Sequence, residues 1–340
     1  MAIRVLVVDD SAFARKVVRE VLTRAGMEVV GIARDGLEAL EKIAELKPDV
    51  VTLDLVMPNL DGLGVLAALP TENRPRVVVV SMAGDDSALG IAALHAGAVE
   101  LVSKPTAMAV ERLYGIADEL IAAVTAAASA RSPGSAQPSR VAALPAERTA
   151  PVSKSILVIG ASTGGPQALT RLIKALPASF PVPVALVLHL PVGYTQAFAD
   201  RLDSESALEV LEAAPGLELT AGRVLVARAG LHLKLFRQGA TLRALLDAHP
   251  MNTAHRPSVN VLFESAAQVF GASVLGVVLT GMGDDGTEGA RAIHAAGGEL
   301  LTESERSCVV YGMPRCVDEA GLSAGSVDLD EMAAEVLRRI

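Results

Sequence analysis

Ser162 stands in the run Ile159-Gly160-Ala161-Ser162-Thr163-Gly164-Gly165-Pro166, whose neighbours are those a reactive hydroxyl would need. The apolar run Ser155 to Ile159 reads as a buried strand, and Gln167 to Ile173 repeats its apolar residues at helical spacing. The serine therefore sits on a strand-to-helix turn, with Pro166 in the first helical turn, where a missing N–H is tolerated. Such a turn lifts the hydroxyl clear of the sheet and leaves the first helical amides facing any negative charge that develops. Gly160 to Gly164 spells G-x-S-x-G, the nucleophile-elbow pattern. Taken alone, that spelling serves a phosphate loop, an ordinary turn or a nucleophile equally well.

A serine nucleophile needs a base, and the imidazole needs a carboxylate to fix its tautomer. His189 closes the apolar run from Pro183, and Asp284-Asp285 follow the longest apolar run, Ser273 to Thr280, within Gly281-Met282-Gly283-Asp284-Asp285-Gly286. Each group ends a predicted parallel strand, and strands about 4.8 Å apart would let the side chains meet if they are neighbours. Singly, His189 reads as a satisfied strand-end histidine and either aspartate as a helix cap. The order Ser, His, Asp departs from the α/β-hydrolases, which place the acid before the histidine. His232, His249 and His294 have no better account than surface or packing.

A second group of reactive side chains lies in the first third of the chain. Asp9 and Asp10 end the first predicted strand, Asp54 the third and Ser81 the fourth, and Lys104 lies just past the fifth. Three carboxylates converging on one sheet edge repel one another unless a cation joins them, and an all-oxygen site of this kind suits Mg²⁺. One such aspartate is usually a cap or turn residue. Five suitable residues at corresponding strand ends are harder to dismiss.

The elements that must position these groups come in two alternating series. Ile3 to Val8, Glu28 to Ile32, Val50 to Leu53, Val77 to Val80 and Val99 to Val102 read as short apolar strands separated by helical patterns. That implies a parallel sheet covered on both faces, with ligands at the carboxyl ends of the strands. Residues 126–153 turn rich in Ala, Ser, Pro and Arg and read as a linker between domains at 1–125 and 154–340. The second series adds strands at Gly222 to Ala227, His232 to Phe236 and Thr241 to Leu246, which read as a small antiparallel excursion. A helix over Pro257 to Phe270, a strand at Glu299 to Thr302 and a final helix from Asp328 complete it. The fold class is α/β: a five-stranded flavodoxin-like unit followed by a doubly wound, mostly parallel domain.

Length supports two domains in 340 residues, and 51% apolar residues supply an ample core. The net charge of -9, spread over both halves, argues against nucleic acid, as does the lack of tryptophan. Cys308 and Cys316 make no disulfide framework and point to a reducing compartment. Met1 to Val8 is a strand running into acidic residues and lacks the features of a signal peptide. No run is long enough to insert in a membrane, since Val182 to Val192 is short and broken by Pro183 and Pro191. A cytoplasmic monomer is expected.

The first domain resembles a response-regulator receiver, through Asp9-Asp10, Asp54-Leu55-Val56-Met57-Pro58, Asp61-Gly62, Ser81 and Lys104-Pro105. The resemblance implies that Asp54 accepts a phosphoryl group from a chemotaxis histidine kinase while Asp9, Asp10 and Asp54 hold Mg²⁺. Ser81 would bind a phosphoryl oxygen and Lys104 would pair with the phosphate. Leu101 stands where many receivers carry the Tyr or Phe that swings inward on phosphorylation, which weakens the expectation of that switch. The second domain resembles the catalytic domain of the chemotaxis protein-glutamate methylesterases. The matching segments are Gly160 to Gly165, His189-Leu190-Pro191, His255-Arg256-Pro257-Ser258-Val259, Thr280 to Gly286 and Gly312-Met313-Pro314-Arg315.

That resemblance implies Ser162 as nucleophile, His189 as general base and Asp285 as orienting carboxylate, with Thr163, the Met282 amide and His255 shaping the oxyanion site. It implies hydrolysis of glutamyl methyl esters, and deamidation of glutamines, on methyl-accepting chemotaxis receptors, with no cofactor for the ester step. It also implies that the resting receiver hinders access to Ser162 until Asp54 is phosphorylated. Leu190 and Asn260 depart from the family's frequent Met and Asp without removing a catalytic group. Two other readings are a binding protein that docks on receptors without turnover and a nucleotide loop at Gly160 to Gly165. The complete triad disfavours the first, and the missing acidic ribose partner about 20 residues onward disfavours the second.

Overall fold

The computed structural model describes residues 2–70, 73–82, 87–104, 113–130 and 154–340. The chain divides into two units, one within residues 1–135 and the other within 136–340. Pro105 and residues 131–153 of the expected linker lie outside the described residues.

The first unit alternates β1 (Arg4–Val8), α1 (Ala12–Arg24), β2 (Glu28–Ala33), α2 (Gly36–Leu46), β3 (Val50–Leu53), α3 (Gly62–Ala68), β4 (Arg76–Ser81), α4 (Ser87–His95), β5 (Glu100–Ser103) and α5 (Leu113–Ser129). The last of these helices continues through 126–129, the first residues expected in the linker, because Ala126 and Ala127 are buried. The strands form one parallel sheet in the order β2-β1-β3-β4-β5. All four residues of β3 are buried, as expected where helices cover both faces of a parallel sheet. Helix α1 turns Ala14, Val18 and Leu22 inward and begins at Ser11, whose hydroxyl accepts from the Ala14 amide. The start of that helix lies directly after Asp9-Asp10.

The second unit begins with β6 (Ile156–Ala161), α6 (Gly165–Lys174), β7 (Val184–Leu188), α7 (Thr195–Glu205), β8 (Glu209–Glu212) and β9 (Arg223–Val226). A hairpin of β10 (His232–Gln238) and β11 (Thr241–Asp247) follows, then α8 (Val259–Phe270), β12 (Val274–Val278), α9 (Thr287–Ala295), β13 (Glu299–Glu303), α10 (Met313–Glu319), β14 (Ser326–Val327) and α11 (Leu329–Arg339). Seven strands make a parallel sheet in the order β14-β13-β12-β6-β7-β9-β8. The antiparallel excursion is narrower than the sequence suggested: only β10 and β11 form it. The segment expected to join it, Arg223–Val226, instead pairs in parallel with β7 and β8 inside the main sheet.

The chain leaves β6 toward β7 on one side and returns to its other side as β12, so the direction of winding reverses there. Ligand crevices of doubly wound sheets open at such a reversal, beyond the carboxyl ends of the strands. Helix α8 packs over β6 and the hairpin, with Leu262 and Phe263 in one core with Val158, Val187, Leu233 and Leu235. Each such fully buried side chain contributes about 1.5–3 kcal/mol. That contact also fixes the helix's first turn above the ends of the central strands. Gly160 makes this approach possible: a Cβ there would lie 2.3 Å from Val259 Cγ1.

Candidate functional site

In the receiver-like unit, Asp9, Asp10 and Asp54 each offer a carboxylate oxygen, all within 4.8 Å of one another. Asp9 and Asp54 are buried and Asp10 is exposed. Lys104 Nζ lies 3.0 Å from Asp9 Oδ2 and 2.7 Å from Asp54 Oδ2. Burial raises the pKa of both carboxyls above the ordinary range despite that ammonium. Burial also works against the Lys104 charge, but the two carboxylates outweigh it and hold the lysine above its ordinary value. An all-oxygen cluster short of positive charge fits Mg²⁺. Ser81 Oγ is buried and has no partner among the described residues, at the end of the strand beside Asp54's. Leu101 is buried.

In the second unit the register brings the expected groups to one edge. Gly160 pairs with Val278 and Ala161 with Leu188, so Ser162, His189 and Thr280 follow on three adjacent strands. The Ser162 amide donates to Thr280 O at 3.0 Å, and the His189 amide donates to Ala161 O at 3.1 Å. Gly164, with φ of +79°, turns the chain from the serine into α6. His189 Nε2 lies 2.9 Å from Asp285 Oδ2, and both side chains are 9% exposed. That contact fixes the histidine by Nε2 and leaves Nδ1 buried and without a partner among the described residues. No hydrogen bond joins Ser162 Oγ to His189 here, as is common in unliganded sites, where such bonds tighten only with substrate.

Asp285 is held more tightly than its position on a glycine-rich loop suggests. Its Oδ1 accepts from Ser258 Oγ at 2.8 Å and the Asn260 amide at 3.1 Å, and its Oδ2 accepts from the Val259 amide at 2.8 Å. These are the N-cap and first amides of α8, so the carboxylate sits at the positive end of a helix dipole. Burial alone would raise its pKa, but His189 and the α8 amides overcome it and lower the value to about 2. The carboxylate therefore stays ionised. Asn260 accepts from the Gly286 and Gly289 amides and caps α9 with its own side chain.

Two residues in this scaffold escaped the sequence reading. Ser258 stands there only inside a matching segment, and His232 has no account there beyond surface or packing. His232 is fully buried, its Nδ1 accepts from the Ser258 amide at 3.2 Å, and its Nε2 lies 3.0 Å from Pro250 O. It thus supports the residue that supports Asp285. Ser258→Ala should lower kcat about tenfold, since a hydrogen bond to a charged group contributes about 1.5–3 kcal/mol, whereas Ser258→Thr keeps the hydroxyl and most of the rate. Equal turnover by the alanine variant and the wild type, measured as methanol release, would remove Ser258 from the scaffold.

His255 stacks on His189 with ring centroids 4.0 Å apart and planes 17° apart. Partial removal from water, and repulsion from any charge on His189, lower its pKa to about 4, so it stays neutral near pH 7. The Met282 amide makes no hydrogen bond to another described residue and remains free to donate, while its side chain is exposed. Thr163 is buried, and its carbonyl accepts from Thr280 Oγ1 at 2.9 Å. Asp284, in contrast to its neighbour, is exposed.

A parallel sheet presenting a serine, a histidine and a carboxylate on adjacent strand ends, in one chain with an acidic five-stranded unit, defines a hydrolytic α/β domain carrying a receiver. Comparison with known proteins makes this particular. Residues 157–336 match the CheB methylesterase family and residues 5–114 the response regulator receiver domain. The protein-glutamate methylesterase/protein-glutamine glutaminase 5 of Myxococcus xanthus (strain DK1622) is 63% identical, covering 99% of this chain and 98% of that protein. The corresponding enzyme 3 of Geobacter sulfurreducens is 41% identical over 99% of this chain and 97% of its own. The crystal structure of the Thermotoga maritima CheB methylesterase catalytic domain, at 38% identity and a TM-score of 0.54, matches 56% of this chain and 100% of its own.

The chain belongs to the CheB methylesterase family, and its activities are those of a protein-glutamate methylesterase and protein-glutamine glutaminase. The receiver implies a kinase as phosphoryl donor and Mg²⁺ for phosphorylation, and the methylesterase domain implies chemoreceptor substrates. No helix among the described residues is long and apolar enough to cross a membrane.

Proposed function

We propose that Ser162, His189 and Asp285 carry out the hydrolysis, with His189 Nδ1 as the base. The carrying observation is that Asp285 engages Nε2 and leaves Nδ1 buried and unpartnered one strand from Ser162. Ser162 Oγ attacks the carbonyl of a receptor glutamyl methyl ester as its proton passes to Nδ1. The same proton then goes to the leaving methoxide, which departs as methanol and leaves an acyl ester on Ser162. Water attacks that ester, gives a proton to Nδ1 and frees the glutamate and the serine. With a glutamine side chain, ammonia takes the place of methanol. The Met282 amide, with Thr163, stabilises the oxyanion, and the neutral His255 face lies against the imidazolium formed in each half-reaction. Acid-quenching a reaction with methylated receptor and finding by mass mapping the receptor glutamyl group on the Ser162 peptide tests this reading; finding it elsewhere rejects the assignment.

The phosphoryl group is accepted by Asp54, and Asp9 and Asp10 with Asp54 would hold Mg²⁺, which neutralises phosphoryl charge during transfer. Ser81 Oγ then takes a phosphoryl oxygen and Lys104 pairs with the new charge of about -1.5 to -2. Phosphorylation speeds hydrolysis by shifting a two-state equilibrium separated by a few kcal/mol. Because Leu101 is aliphatic, the shift depends less on Ser81 than in receivers with Tyr or Phe there. Residues 154–340 alone should turn over without phosphorylation, whereas the full chain should accelerate severalfold when given Mg²⁺ and a small phosphoryl donor. Asp54→Asn should keep the basal rate and lose the acceleration. Acceleration that survives in Asp54→Asn would move the acceptor elsewhere.

A further inference from the structure

Glu303, the last residue of β13, has no surface open to solvent. Its Oε2 accepts from the Thr280 amide at 2.9 Å, and its Oε1 accepts from Ser307 Oγ at 2.9 Å. Thr280 is the residue that carries the nucleophile turn: its carbonyl accepts from the Ser162 amide, and its hydroxyl donates to the Thr163 carbonyl. The nearby cations are committed elsewhere. Arg171, on α6, pairs with Asp330, and Arg306, on the loop after β13, pairs with Asp328. The Cys308 thiol and the Ser307 hydroxyl from that loop also face Glu303, and Ser307 Oγ accepts from the Leu329 amide at 3.1 Å.

A carboxyl buried without a paired cation favours its neutral form, and burial here raises the pKa to about 7 despite the Thr280 and Ser307 hydrogen bonds. Ser307 suits both forms. Its Oγ is also 3.5 Å from Ser304 O, so a protonated Oε1 can donate to Ser307 while the serine proton turns toward that carbonyl. On ionisation the serine proton turns back. Both states thus fit the same packing, and the change between them is one of charge.

We propose that Glu303 is a positioning residue of the methylesterase reaction, holding the Ser162 turn through Thr280, and that loss of its proton lowers the reactivity of Ser162. The inference rests on Ser162 being the nucleophile. The reason is electrostatic: an unpaired negative charge two hydrogen bonds from Ser162 opposes the oxyanion that forms on attack, and low-dielectric surroundings screen it poorly.

The test uses the full chain and its Glu303→Gln variant, treated with a fluorophosphonate and, separately, with methylated receptor, from about pH 5.5 to about pH 9. Glutamine reproduces the neutral carboxyl, with its oxygen toward Thr280 and its amide toward Ser307. The wild-type rate should fall as pH rises through neutrality, and the variant should lack the fall. Their ratio should grow from near one at the acid end to about tenfold at the alkaline end. A ratio that stays constant across the range overturns the proposal. A second variant, Ser307→Ala, removes a hydrogen bond that is stronger to the carboxylate than to the neutral acid and should move the alkaline midpoint upward; an unmoved midpoint overturns it as well. Mass mapping separates the two readings, since label outside the Ser162 peptide would reject the nucleophile, whereas label on Ser162 with parallel pH profiles would reject only the role of Glu303.

Discussion

Ser162→Ala should lower kcat for methanol release by about a millionfold, because members of a cooperating triad fail together. The substitution removes one oxygen and little else. Ser162 is half-buried, its amide bond to Thr280 O is backbone, and its hydroxyl makes no hydrogen bond to another described residue. The melting temperature should therefore hardly move, which isolates chemistry from folding. His189→Ala should cost a similar factor, but it also strips Asp285 of one donor while three from α8 remain. A small loss of stability should accompany it. Both variants should still bind receptor, so KM separates poor binding from failed attack. Near-normal turnover by Ser162→Ala would end the covalent mechanism.

What the sequence disclosed, and what it hid, follows from how local each feature is. Runs such as Val50 to Leu53 and Ser273 to Thr280 are apolar on both faces, so strand type and burial could be read directly, and with them the strand-end positions of Asp54, Ser162 and His189. The edge strands Glu209–Glu212 and Ser326–Val327 went unread because they are short and partly exposed, carrying no strong apolar run. Gly222 to Ala227 reads as a strand, but its core Arg223–Val226 lies in the main sheet and not in the antiparallel excursion, since its partner β8 is separated from it by a loop and its other partner β7 lies far back in sequence. Pairing of that kind is decided by packing, not by local spelling.

The site shows the same division. Ser162, His189 and the Asp284-Asp285 pair could be placed at strand ends, and the choice of Asp285 came from the family resemblance, yet the carboxylate's support was not legible. Asp285 draws three hydrogen bonds from residues 258–260, and only the folding of α8 over Gly160 brings that segment to it. His232 shows no local sign of its position beneath Ser258. Glu303 looks in sequence like any charged residue ending a strand, and only its complete burial sets it apart.

The adjacent carboxylates Asp284 and Asp285 should respond very differently to the same substitution. Asp285→Asn should lower kcat on the order of 10⁴-fold, the scale of loss when a triad carboxylate becomes an amide. Each carboxylate oxygen of Asp285 already faces two donors: Ser258 Oγ and the Asn260 amide on Oδ1, His189 Nε2 and the Val259 amide on Oδ2. An amide nitrogen in either place meets donors with a donor. If it faces Ser258 and Asn260, the helix end loses its acceptor, at about 1–3 kcal/mol for each group left unsatisfied. If it faces His189, it can be accommodated only by an unprotonated Nε2, which drives the ring proton to Nδ1 and blocks the nitrogen that must receive the serine proton. Asp284 is exposed, and its contribution to the turn is the backbone carbonyl that accepts from the Thr287 amide at 3.0 Å. Asp284→Asn leaves that bond intact and should stay within about threefold of wild type, an effect of less than 1 kcal/mol. Paired kcat measurements on the two variants decide the assignment, and a larger loss at Asp284 would transfer the catalytic carboxylate to that residue.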